Sequence, residues 1–156
     1  MLSCKGFQSY PVLYKEGDTR PSVFFGQVPK PVADSGWETF APFASVGKTV
    51  EWRVKGETPY AAILRFYLSD PEFNGTDASQ EKKGQVLVVS KVATEEDPEA
   101  CVIGMVDALE NGDANGIARD LADETAADFT CGTDEATYRG KKGRLAGSFS
   151  SSLPDE

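Results

Sequence analysis

The chain has 156 residues, 40% hydrophobic and 26% charged, with 16 basic and 25 acidic side chains and a formal net charge of −9. That length fits one domain, and a domain of this size buries roughly 68–70% of its unfolded surface, which excludes collagen-like, low-complexity and wholly disordered classes. The longest uncharged stretch, Leu145–Pro154, falls far short of the about 20 apolar residues that a spanning helix needs, so no transmembrane segment is expected. There is no histidine. Ser–His–Asp triads, Cys–His dyads and His-ligated metal sites are therefore excluded.

In chain order, Tyr10–Tyr14 and Ser22–Gln27 read as short strands separated by the turn-forming Glu16, Gly17 and Asp18. Pro29–Gly36 reads as a loop, and Trp37–Gly47 is aromatic but punctuated by Pro42 and Gly47. Thr49–Lys55 alternates, with Val50, Trp52 and Val54 on one face and Glu51, Arg53 and Lys55 on the other. That is a half-buried strand with a wet outer face. Ala61–Leu68 favours a strand with Leu64, Phe66 and Leu68 inward, and Gln85–Val92 is the continuous apolar run of a strand covered on both faces. The polar loop Asp70–Gly84 makes these two an antiparallel hairpin. An acidic turn, Thr94–Glu99, then leads to one more strand, Cys101–Leu109.

The spacing predicts one helix over Ala114–Thr130. Ile117, Leu121 and Phe129 form a stripe thickened by Ala118, Ala122 and Ala126, with Asp113 as N-cap and Gly132 as terminator. The sum is an α+β domain: a mostly antiparallel sheet of five or six strands with one C-terminal amphipathic helix packed on a face. It occupies residues 1–138. Residues 139–156, basic and then rich in Gly and Ser, read as a loosely ordered tail.

Charge is unevenly placed. Residues 94–138 hold thirteen acids against the single base Arg119, a local charge of −12, and the rest of the chain carries +3. Nucleic-acid affinity rests on Lys and Arg displacing counterions, so no nucleic-acid partner is expected. Arg139, Lys141, Lys142 and Arg144 read as a charge answer to the acidic helix.

Cys4, Cys101 and Cys131 form neither a CxxC motif nor a metal-ligand spacing. The favoured reading is a Cys101–Cys131 bridge that ties the start of a strand to the end of the following helix. The alternative is three free thiols in a cytosolic protein. No charged segment followed by a long apolar one stands at the N-terminus, so the chain reads either as cytosolic or as an exported form without its leader. Met1, Leu2 and Ser3 ahead of Cys4 loosely match a trimmed lipoprotein start.

Three constellations are candidates for chemistry. Asn111, Asp113 and Asn115, with Gly116, partly match a calcium loop, in which alternating oxygen ligands need a glycine for the sharp turn. Position twelve, however, is Ala122, and a strand-to-helix turn needs the same residues. Asp120, Asp123, Glu124 and Asp128 share a helix arc, where carboxylates more often meet water than do acid–base work. Trp37 and Trp52, with Phe40 and Phe43, are candidates to line a shallow ligand cleft with Arg53 or Arg65 as a polar handle, against the simpler reading of aromatics as core. No phosphate-cradling glycine loop or other cofactor motif occurs, so no cofactor is expected.

Trp37-Glu38-Thr39-Phe40, Val46 to Arg53, Ala62-Ile63-Leu64-Arg65, Gly84 to Val89, Asp113-Ala114-Asn115 and Phe129-Thr130-Cys131-Gly132 resemble, over roughly residues 4–135, a family of small exported bacterial proteins. That family has no assigned activity, so the resemblance transfers no functional residue. It implies a periplasmic or secreted location. The expected function is a non-enzymatic exported domain binding a protein or small ligand in the cell envelope. The alternatives are a small carboxylate-dependent enzyme, favoured by a pocket holding Glu38, Glu51 or the helix acids near Arg53 or Arg65, a calcium-stabilised module, and a cytoplasmic location.

Overall fold

A computed structural model describes residues 1–155. The strands are β1 (Leu2–Phe7), β2 (Tyr10–Gly17), β3 (Arg20–Gly26), β4 (Trp37–Phe40), β5 (Ala44–Lys55), β6 (Thr58–Leu68), β7 (Gly84–Ala93), β8 (Cys101–Asp107), β9 (Thr137–Tyr138) and β10 (Phe149–Ser152). The helices are α1 (Lys30–Ser35) and α2 (Ala114–Thr125), with a 3-10 turn at Ala78–Gln80. Mostly sheet with little helix, this is the expected α+β class.

The expected five or six strands are corrected to an eight-stranded mixed sheet, with β10 and β4 forming a separate pair. Pairing is antiparallel except for two short parallel contacts, β3 with β7 at Phe25↔Val92 and β8 with β9 at Gly104↔Thr137. The hairpin read across the polar loop is real: β6 and β7 pair antiparallel from Ala61↔Lys91 to Leu68↔Gly84.

Alternation along β6 builds a three-layer molecule. Ala62, Leu64, Phe66 and Leu68 enter one core cluster with Val23, Phe25 and Phe40, from the β1–β3 and β4 side. Ala61 and Ile63 point the other way and join Leu87, Val89 and Ile103 beneath Ala118, Leu121 and Ala122 of α2. The run Val86–Val89 is apolar throughout because both of its faces are covered. Against the outer side of the β2–β3 hairpin, Leu13 and Phe24 meet Val32 of α1 in a third cluster.

Two glycines permit close approach. A Cβ on Gly26, at φ +93, would lie 2.2 Å from the Ala93 carbonyl, so the β3–β7 crossing needs glycine. A Cβ on Gly104 would lie 2.6 Å from Leu121 Cδ1, so α2 sits directly on the β8 backbone.

Several boundaries differ from the sequence reading. Pro29–Gly36 is not a plain loop: it contains α1, where Pro31 in the first turn costs no helical N–H bond. β1 is a largely exposed edge strand whose sequence lacks an apolar alternation. α2 has the Asp113 cap, accepting from the Gly116 N–H, but ends at Thr125 rather than Thr130. Turn bonds to the Thr125 carbonyl follow, Phe129 folds under the helix, and the chain is held at Cys131. Nor is α2 C-terminal, because β9 and β10 follow it. In the segment expected as a loose tail, β10 pairs with β4 from Phe149↔Phe40 to Ser152↔Trp37, and Ala146 is buried in the core. Glu156 lies outside the described residues.

Candidate functional site

The β4 sequence Trp-Glu-Thr-Phe puts Glu38 on the same strand face as Phe40, by the two-residue period, and Phe40 is core. Glu38 is consequently 3% exposed. Its backbone N–H donates to Ser22 Oγ at 2.8 Å. Its Oε1 accepts from the Val102 N–H at 2.8 Å, and its Oε2 accepts from the Ser151 hydroxyl at 2.9 Å. Burial pushes the carboxyl up to about 7, against the lowering effect of those two hydrogen bonds. One residue thus ties β4 to β3 through its backbone N–H and to β8 and β10 through its carboxyl.

Glu38 closes the inner end of a cleft of about 450 Å³ whose walls include Phe129, Phe149, Asp134, Glu135 and Cys101. A second cleft of about 460 Å³, reaching to Tyr138 and Arg139, shares Phe129, Asp134 and Glu135 with it. The two clefts flank the segment between α2 and β9. Cys101, at the start of β8, is bonded to Cys131, just past α2, with Cα atoms 5.8 Å apart, so the expected bridge is present in the wall of the first cleft. Cys4 is free and exposed.

The aromatic candidates do not converge. Trp37 lies with Lys15 (5.7 Å from Nζ to the ring), on the Phe24 side of the β2–β3 hairpin. Trp52 packs edge-on against Phe25 at 5.7 Å, on the opposite side, and partly fills the core. Arg53 reaches α2 instead of a cleft: Nη2 donates to Asp123 Oδ2 at 2.8 Å and Nε to Oδ1 at 3.1 Å. Tyr60 donates to the same carboxylate at 2.5 Å, and Arg119 grips Glu51 at 2.8 and 3.0 Å. The face of β5 read as wet is therefore partly covered, and its charges clamp the helix to β5 and β6. Arg53 and Tyr60 hold Asp123 below its usual carboxylate range.

In the calcium-like loop, side-chain oxygens of Asn111 and Asp113 already have backbone partners. Asn111 Oδ1 accepts from the Lys141 N–H at 3.1 Å while its Nδ2 donates to the carbonyls of Asp107 and Lys141. Asp113 Oδ1 accepts from Gly116 N–H at 3.3 Å, and Asn115 is exposed on the first turn of α2. Among the described residues no group of three or more acidic or cysteine side chains is arranged to hold a metal ion.

The sequence reading named Glu38 only among the carboxylates whose pocket would favour an enzyme, not among its ligand-binding residues, and it missed the contribution of Ser151. A signal for Glu38 existed, since an acid two residues before Phe40 in a short aromatic strand must share its face. None existed for Ser151, whose partner lies 113 residues away.

Arg65 has different surroundings again. It lies on β6 beside a smaller groove of about 290 Å³, with Lys48, Thr49, Tyr67 and Asn115. No family model, curated protein or solved structure matches the chain.

Proposed function

We propose that the chain is a non-enzymatic, exported bacterial domain that binds a protein segment or small ligand in the cell envelope, through the cleft beneath β10. The disulfide carries the location, since such bridges persist in oxidising compartments and are rare in the cytosol. The cleft supports the binding role. Its volume, about 450 Å³, is in the range of ligand pockets, and it has apolar walls at Phe129 and Phe149 beside the acids Asp134 and Glu135. Those walls suit a cationic group carried on an apolar body. Glu38 anchors strands there, with both oxygens already accepting hydrogen bonds.

The test has two arms. Protein recovered from a bacterial envelope without reductant is expected to carry one titratable thiol, Cys4, and three would overturn the exported location. With the chain as bait for envelope extract, a ligand held by wild type and lost in Glu135→Arg supports the cleft. Nothing specific held, or equal retention by both proteins, overturns it.

A second reading, a carboxylate-dependent enzyme, is favoured by one observation: a buried acid titrating near 7 at the end of a cleft has the profile of a general acid. A hydrolytic activity that Glu38→Gln abolishes without unfolding the protein would replace the binding-domain reading.

A further inference from the structure

The chain has six arginines. Five pair with carboxylates: Arg20 with Asp18, Arg53 with Asp123, Arg119 with Glu51, Arg139 with Glu124 and Arg144 with Asp70. Among the described residues Arg65 pairs with none, although the protein has 25 acids to offer. Its hydrogen bond is from Nη1 to Gln85 Oε1 at 2.9 Å, a neutral partner. The Nε and Nη2 edge of the guanidinium donates to no protein group among those residues. That edge has the fork geometry that matches two oxygens of a carboxylate or phosphate.

The backbone opens opposite this side chain. Val46 pairs with Phe66 and Val50 with Leu64, so Gly47, Lys48 and Thr49 face the single residue Arg65. A bulge of this kind interrupts the ladder and re-aims side chains. The bulge packs closely over Arg65: a Cβ at position 47 would make ordinary contacts, 3.4 Å from the Arg65 carbonyl oxygen, 3.7 Å from its Cβ and 3.8 Å from the Tyr67 ring. The groove of about 290 Å³ so formed is lined by Lys48, Thr49, Arg65, Tyr67 and Asn115. Glu51 also borders it, but Arg119 holds both of its oxygens and Arg53 lies 3.8 Å away, which cancels its charge locally. The result is a locally cationic pocket on a strongly acidic molecule.

We propose that this groove is an oxyanion-binding site, in which the carboxylate or phosphate of a small molecule docks two-pronged on Arg65, with Lys48 and the hydroxyls of Thr49 and Tyr67 around it. It is separate from the cleft beneath β10 and stands independently of the function proposed for that cleft.

The probes are inorganic phosphate and succinate, titrated at constant ionic strength and read by amide chemical shifts and by the thermal midpoint. Binding is expected to move the Gly47, Lys48 and Asn115 amides and to raise the midpoint, since a ligand of the folded state stabilises it. Arg65→Gln should weaken binding at least about tenfold, the scale of a lost charge-assisted contact. Thr49→Asp, which places a carboxylate beside Arg65, should keep the fold and block both probes. A response to phosphate alone or to succinate alone identifies the oxyanion class. No response beyond sodium chloride at the same ionic strength, or an equal response in Arg65→Gln or Thr49→Asp, overturns the proposal.

Discussion

Three buried ionisable side chains illustrate how this protein compensates charges removed from water. Lys15 is solvated by carbonyls, donating to Ala33 O at 3.0 Å and to Gly36 O at the end of α1, and burial holds its pKa below the ordinary lysine value. Lys91 is solvated by charge. Burial alone would lower its pKa, but the hydrogen bonds and charges of Asp97 and Glu99 outweigh that and hold it above the ordinary value. Glu38 has hydrogen bonds and no cation, so it retains its proton to about 7, whereas an unfolded glutamate releases it at 4.5. Between those values the folded state binds more protons than the unfolded state. The stabilising contribution of Glu38 is therefore complete below 4.5 and is lost as pH rises through 7. Glu38→Gln, neutral at every pH, should match wild type in urea denaturation below pH 4.5. At pH 8 it should be more stable by up to about 3 kcal/mol, the equivalent of that shift. Parallel stability profiles for the two proteins would mean that Glu38 ionises freely in the fold.

The contact between α2 and the sheet depends on one missing side chain. Ala114, Ala118 and Ala122 bring the helix close because they are small, and Gly104 on β8 lets Leu121 rest on bare backbone. Gly104→Ala places a methyl where Leu121 Cδ1 stands at 2.6 Å, so the helix must lift or Leu121 must leave its rotamer. A loss of about 1–3 kcal/mol is expected in chemical denaturation, the usual cost of overpacking. Leu121→Ala in the same background should recover part of it, and additive losses would show that the two residues do not meet. The amphipathic pattern of α2 was readable in the sequence because a helix against a flat sheet repeats its buried positions every three to four residues. Its end at Thr125 was not readable. That end is fixed by Phe129 and Cys131 fastening to β8, which propensity does not encode.

At the scale of the whole molecule, the central strands are held between α2 on one face and the layer of β1–β3, β4 and β10 on the other. The Cys101–Cys131 bond closes a separation of 30 residues that contains all of α2, so it restrains the unfolded chain over the whole helical layer. Replacing both cysteines by alanine should cost about 3–4 kcal/mol on the chain-entropy account. The loss is measured as a lower denaturation midpoint, and the same change should appear in wild type on addition of reductant. An unchanged midpoint in both would mean that packing alone holds the helix. The chain after Arg139 contributes as well, because Ala146 and the β10–β4 ladder complete the outer layer.

The sequence by itself determined the α+β class, the strands over 49–55, 61–68 and 85–92 and one starting at 101, which ends at 107 and not 109, the helix and its Asp113 cap, and the choice of cysteines to bond. These rest on local periodicity, on capping chemistry and on a favoured pairing of three thiols. The tertiary structure decided the rest. β1 and β10 carry little apolar pattern and exist because β2 and β4 offer them partners. Trp37 and Trp52 are separated because neighbouring residues of β3, Phe24 and Phe25, face opposite layers. Arg53 and Arg65 look alike in sequence, each in an alternating strand. Arg53 is opposite an acid of α2, whereas Arg65 is opposite a bulge, and only the register of β5 on β6 makes that difference.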